Sequence, residues 1–274
     1  MARKAKEEVK PHYSGSQLDT FCMCPESYRQ WYIEKNRIPP TVYMARGTGM
    51  HEGAAMNSRQ KMETFRDLPA KDIIDAGIAE FEAATKDGIM LTPEEASRGP
   101  DAVIGETKDD LRAILDCHAK EQAPSYQPIM VEQTVRIELP NSPRDLLGVV
   151  DLATENEVVD YKTAKRSKSQ KDADTSVPLT IYAVAFMVVT GSAPEFVSLD
   201  SVIQTSKATK RQKVISTRDE NDFRALANRI NAVDHAIRSG SFPPALPGSW
   251  KCSPKYCGYY RTCPFVNGSR DQGD

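Results

Sequence analysis

The chain has 274 residues, 39% of them hydrophobic, and a formal net charge of -2. This is enough apolar content for one sizeable core. The near-neutral balance excludes a globally basic nucleic-acid binder, so any attraction for a polyanion must be local. There is no run of 18 apolar residues and no signal-like opening segment, so a soluble intracellular protein with no membrane partner is expected.

The polar stretch Met1 to Glu8 is expected to fray. A helix then opens at Ser14 or Ser16, either of which can cap it, with Leu18, Phe21, Tyr28 and Tyr32 at helical spacing; Pro39-Pro40 closes it. A second helix is predicted from about Thr48 to Arg66, starting at Gly47-Thr48-Gly49-Met50-His51. Pro69 to Lys86 and Thr107 to Gln122 are amphipathic, and a polar loop around Pro93 to Pro100 separates them. The period then changes to two. Ile129 to Leu139 sets Met130, Glu132 and Thr134 against Val131, Gln133 and Val135, and Leu147–Ala153 and Val158–Tyr161 complete an antiparallel meander.

Val177 to Thr190 is an apolar, buried helix, and Val197–Thr205 and Lys213–Ser216 are two further strands. Asp219 to Ser239 carries the helical stripe Phe223, Leu226, Ile230, Val233 and Ile237. A Pro/Gly-rich tail follows from Phe242. The pattern predicts an α/β fold with a central mixed sheet, flanking helices, a helical insertion and a cysteine-bearing C-terminal tail. Its expected parts, all within one domain over 1–274, are 12–66, a helical insertion over 67–125, a core over 126–240 and a tail over 241–274.

The chemistry concentrates in Gly148-Val149-Val150-Asp151 and Asp160-Tyr161-Lys162-Thr163. Alternate residues of a strand share a face, so Asp160 and Lys162 project together while Tyr161 points away. A hairpin around Glu155-Asn156-Glu157 would set Asp151 beside Asp160. Two carboxylates and an ammonium group at strand ends suit a divalent-metal phosphodiesterase site, because carboxylates hold a hard cation and lysine orients water or offsets phosphate charge.

The six cysteines come without a secretory signal, which disfavours disulfides. Cys252, Cys257 and Cys263 supply three soft ligands, and Cys24, before Pro25, is the best fourth. Four thiolates take either zinc or an iron–sulfur cluster. Spacing wider than a C-x2-C hairpin favours the cluster. Cys22 and Cys117 are expected to be small buried hydrophobes. Lys165, Arg166, Lys168 and Lys171 form a basic segment after the acidic strand, suited to phosphate contacts, and Lys207, Lys210, Arg211 and Lys213 form a second. Tyr259 and Tyr260 could stack on bases or pack the cysteine site, with packing favoured.

Six pieces in register carry a resemblance over nearly the whole chain. They are Ser16-x-Leu18-x-x-Phe21-x-x-Cys24-Pro25-x-x-Tyr28, Gly47-x-Gly49-x-His51, Glu132, Gly148-x-x-Asp151, Asp160-Tyr161-Lys162-Thr163 and Leu179-x-x-Tyr182-Ala183. Together they resemble the PD-(D/E)xK nuclease superfamily, in its RecB-like, AddB-like and Cas4-like exonuclease branch. The resemblance implies a restriction-endonuclease-like core. It also implies Mg²⁺ or Mn²⁺ held by Asp151, Asp160, the Tyr161 backbone carbonyl and His51, the histidine suiting Mn²⁺. Lys162 would position the attacking water and Glu132 would assist.

Tyr182, Lys165, Arg166 and Lys168 would contact DNA, a single-stranded segment of it included. Cys24, Cys252, Cys257 and Cys263 would hold a structural [4Fe–4S] cluster, with Zn²⁺ as the alternative. Pro178 stands where the family usually carries a glutamine, four residues before Tyr182. The implied activity is metal-dependent DNA exonuclease, in recombination, repair or processing, of viral, phage or Cas4-like type, with a recombination or processing protein as partner. The alternative is a catalytically weak DNA-binding or partner-docking module on the same fold.

Overall fold

The computed structural model describes residues 11–139, 142 and 144–266. Among the described residues, six strands make one mixed sheet: β1 (His12–Ser14), β2 (Met130–Ile137), β3 (Asp145–Ala153), β4 (Glu157–Ala164), β5 (Phe196–Gln204) and β6 (Thr209–Ser216). β3 is the hub. β2 runs antiparallel along one edge, from Met130 opposite Ala153 to Ile137 opposite Leu146. The other edge is shared: β1 pairs parallel with its first residues, and β4 pairs antiparallel only at Leu152–Val159 and Ala153–Val158. β4 then leaves β3 and runs parallel to β5, with β6 antiparallel beyond. The result is a fork between β3 and β4.

One face of the sheet is covered by α1 (Gly15–Met23), α8 (Val177–Thr190) and α9 (Glu220–Arg238), which share a core containing Leu18, Val150, Leu179, Phe186, Leu226 and Ile230. The other face carries α3 (Val42–Thr64), α4 (Ala70–Thr85) and α6 (Pro100–Cys117), packed with Leu152, Val159, Tyr161 and Val202. Between these lie the short α2 (Pro25–Tyr28), α5 (Pro93–Arg98) and α7 (Gln170–Asp174), and wider π-turns over Arg29–Ile33 and His118–Gln122. The predicted α/β architecture, a mixed sheet with flanking helices, is the one found.

Local chemistry sets the helix limits, and several differ from the sequence expectation. α3 begins at Val42, six residues early, because the Thr41 hydroxyl accepts from the Met44 N–H. Gly47 and Gly49 therefore lie inside the helix. Gly49 has a packing role there: a Cβ would stand 2.5 Å from the Gly77 carbonyl oxygen of α4. α6 starts at Pro100, where proline's missing N–H costs nothing, and the expected loop holds α5, closed by a Thr92–Glu95 capping box. The opening helix breaks at Cys24, with Ser14 as its cap.

Fully buried Asp200 on β5 is satisfied by Gln122, Tyr126 and Arg211, the last through both Nε and Nη2. This network ties the turn after α6 to the sheet. It also corrects the second basic segment: Arg211 is committed to Asp200, and Lys213 pairs with Glu157 at 2.7 Å.

Candidate active site

The fork is where the acidic residues meet. The next pair in the β3–β4 register would be Asp151 opposite Asp160, but no ladder forms there. Instead, Asp151 Oδ2 accepts from the Tyr161 N–H at 3.0 Å, so the side chain occupies the place of the missing partner strand. Its Oδ1 accepts from the Tyr182 hydroxyl of α8 at 3.2 Å. Asp160 is fully buried, and Lys162 Nζ stands 2.7 Å from its Oδ1. Asp160 and Lys162 thus share a side of β4, while Tyr161 sits in the opposite core.

His51 comes from the third turn of α3, on the face that packs on the sheet. Its Nδ1 lies 3.5 Å from both Glu132 Oε1 and Asp151 Oδ2. Among the described residues, His51, Glu132 and Asp151 form the one group whose ligand atoms all fall within 4.8 Å of one another.

Glu132 reaches this point at a conformational cost. Its φ is +45°, in the left-handed region, within a strand. Met130 on one side and Val135 and Ile137 on the other nevertheless enter the same core, although strict alternation would put them on opposite faces. The expected alternation of β2 therefore breaks at Glu132, whose backbone absorbs the phase shift. Such a conformation costs about 1–3 kcal/mol.

The electrostatics are those of an under-compensated anionic pocket. Burial raises the Asp160 carboxyl, Lys162 pulls it down, and the nearby Asp151 charge pushes it up again, leaving it at about 7. Burial works to lower the His51 pKa, but Asp151 and the bond to Glu132 win and carry it up to about 9. Burial opposes the charge on Lys162, and Asp160 and Asp151 outweigh it, so its pKa rises. The Tyr182 hydroxyl is pushed well up, first by burial and then by Asp151. Both Asp160 oxygens lack a well-aligned hydrogen bond despite their burial. The carboxylates of Glu132, Asp151 and Asp160 and the His51 imidazole constitute a donor set that fits a hard divalent cation, which would supply the missing positive charge.

The other predicted residues are dispersed. Lys165 projects past the end of β4, 4.9 Å from the ring centre of Tyr43, and Arg166 is exposed. The Lys168 N–H is bonded to Gln212. Pro178 lies in the first turn of α8, capped by Ser176, so that helix forms without the family glutamine.

Cys24, Cys252, Cys257 and Cys263 border one cavity, and all are free thiols. Burial raises the Cys257 thiol, to which Cys24 and Cys252 also contribute. Cys117 is buried as expected, but Cys22 is exposed on α1, which corrects its assignment to the core. Tyr259 is buried, with its hydroxyl donating to the Asn36 carbonyl, as a packing residue would be. Sequence reasoning missed Asp19 of α1. Burial raises its carboxyl, and the charges of Arg229, Lys162 and Asp160 reach it. No spacing rule linked it to β4, because only the docking of α1 on the sheet brings them together.

A family model described as the PD-(D/E)XK nuclease superfamily matches residues 12–264. Among solved structures, that of a "Putative exonuclease" from Eubacterium rectale superposes with a TM-score of 0.53 at 10% identity, covering 95% of this chain and 94% of that one; this is a likeness of fold. The structure of SSO0001 covers 96% of this chain and 89% of its own at 15% identity, with a TM-score of 0.40, too low to carry an argument. No curated protein matches. Since the family model runs from β1 past the last cysteine, this chain belongs to the PD-(D/E)XK nuclease superfamily.

Proposed function

We propose that this protein is a divalent-metal-dependent DNA exonuclease that hydrolyses phosphodiester bonds at the β3–β4 fork. The observation that carries the reading is the convergence of His51, Glu132 and Asp151 beside the buried Asp160–Lys162 pair. Asp151, Asp160, His51 and the Tyr161 carbonyl would hold Mg²⁺ or Mn²⁺, with Glu132 assisting. A cation held there supplies Lewis-acid stabilisation of the phosphate and acidifies water.

The protein's own groups do the rest. The Tyr161 N–H and Tyr182 hydroxyl fix the Asp151 carboxylate in one orientation. Lys162, anchored on Asp160, presents a proton-bearing ammonium at the fork, where it can orient an attacking water and offset charge on the phosphate. Lys165, Arg166 and Lys168 continue from the same strand and would meet neighbouring phosphates without reading sequence. The four-cysteine cavity is assigned a structural [4Fe–4S] cluster, with Zn²⁺ as the alternative.

The test is degradation of end-labelled single- and double-stranded DNA with Mn²⁺ and with EDTA. Asp160→Ala and Lys162→Ala should each lower the rate at least about a hundredfold, the scale of losing one group that acts in the transition state, while melting cooperatively. Wild-type rates in either folded variant would refute the assignment. Internal cuts without loss from an end would replace exonuclease by endonuclease.

A further inference from the structure

Three aromatic side chains stand in water on one surface: Tyr43 is 42% exposed, Tyr256 44% and Trp250 64%. Each has a lysine beside its ring. Lys165 lies 4.9 Å from the Tyr43 centroid, and Lys255 and Lys251 lie 5.9 Å from those of Tyr256 and Trp250. Trp250 and Tyr256 pair edge to face at 5.0 Å, an arrangement that covers at most one face of one ring.

The fold makes these rings neighbours of the fork. Tyr43 is in the first turn of α3, and Lys165 follows directly on β4, three residues after Lys162. The segment before α3 is bridged to Met90, whose N–H donates to the Pro40 carbonyl. Against this pair rests Gly258 of the tail, in contact with Ile38 and Met90. Lys255 reaches Glu94 at the start of α5. Tail, helical insertion and the start of α3 thus form one continuous surface that runs to the fork.

We propose that this surface is a binding track for single-stranded DNA, with bases stacking on Tyr43, Tyr256 and Trp250 and phosphates meeting Lys165, Lys255 and Lys251. The inference rests on the nuclease reading for its purpose but not for its geometry. Exposed large aromatics lose free energy in water, and a protein partner would favour an apolar patch with charges kept to its rim. Here cations alternate with the rings themselves, the pattern of a strand whose π-faces and phosphates alternate. A duplex hides its base faces and cannot use such a track.

The full chain, purified anaerobically, would be titrated against fluorescently labelled oligothymidylate without divalent cation, so that affinity is read apart from cleavage. Tyr43→Ala and the double variant Trp250→Ala/Tyr256→Ala should each weaken binding about tenfold or more. Tyr43→Phe and Trp250→Phe/Tyr256→Phe should restore it, and blunt duplex binding should change less than twofold. Unchanged single-strand affinity, losses that phenylalanine fails to rescue, or equal losses on duplex would each overturn the track. Absence of cleavage by the wild type, with these affinities falling as stated, would remove the nuclease reading and leave the track standing.

Discussion

Glu132 is the residue whose local and functional demands conflict most openly. Its φ of +45° is one that glycine adopts freely and that a side chain opposes. A strand selected for stability alone would have glycine or ordinary extended backbone there, so the retained glutamate is tied to what its carboxylate does beside His51 and Asp151. The two contributions separate in a pair of variants. Glu132→Ala and Glu132→Gly both remove the carboxylate, but only glycine removes the backbone strain. Glu132→Gly should therefore be the more stable by about 1 kcal/mol, or roughly 2–4 °C in melting temperature for a chain of this size. Both should need more Mn²⁺ than wild type for half-maximal cleavage. An alanine variant at least as stable as the glycine variant would sink the strain argument. The sequence marked Glu132 as a strand acid but could not reveal this conformation, since alternation reads the same with or without one inverted residue.

At the scale of elements, α3 has to carry His51 to the sheet, and its seat is set by glycine contacts with α4. The carbonyls of Gly49 and Gly77 occupy the places where each other's Cβ would go. Gly49→Ala should push the helices apart, cost about 1–3 kcal/mol as overpacking does, and displace His51 two residues on. Reduced melting temperature and reduced Mn²⁺-dependent cleavage should appear together. Gly105→Ala is the contrast: on the exposed face of α6 a Cβ meets nothing within 4 Å, so it should stabilise by about 0.5–1 kcal/mol through helix propensity. Equal effects at the two sites, read by thermal melting, would contradict the close-approach account. Periodicity made α8 and α9 legible to within a residue, and the β3–β4 hairpin to within three, β4 running on past Tyr161 to Ala164. It missed the early start of α3 because the glycines there resemble a helix opening, whereas Thr41 supplies the cap. It missed α5 because a six-residue helix is too short for a stripe and shows itself only through its capping box.

Across the whole molecule, the legible and illegible parts divide by range of contact. Strand order around β3, with β1 and β4 sharing an edge, depends on contacts between residues 12–14 and 145–147, which no local pattern encodes. The joining of the chain's two ends was legible, because cysteine chemistry narrows the partners of Cys24 to the tail. That tail does more than close a cavity. It ties Cys24, Asn36, Ile38, Met90 and Glu94, from three separate stretches, into one surface. Among its described residues Tyr259 is the one buried, so its docking must draw on something besides packing. A metal or cluster bound by four thiolates is of the right magnitude, since it stabilises only the folded arrangement. Cys24→Ser and Cys257→Ser should therefore lose iron, lower the melting temperature by several degrees and expose the tail to protease, all to similar extents. Cys22→Ser, on an exposed thiol outside the cavity, should leave metal content unchanged. Anaerobic protein that is colourless, with zinc in place of iron, would convert the cluster to its alternative while leaving the clamp intact. Full metal content in Cys257→Ser would remove the clamp itself, and with it the reason for a loop-rich tail to hold one position beside the fork.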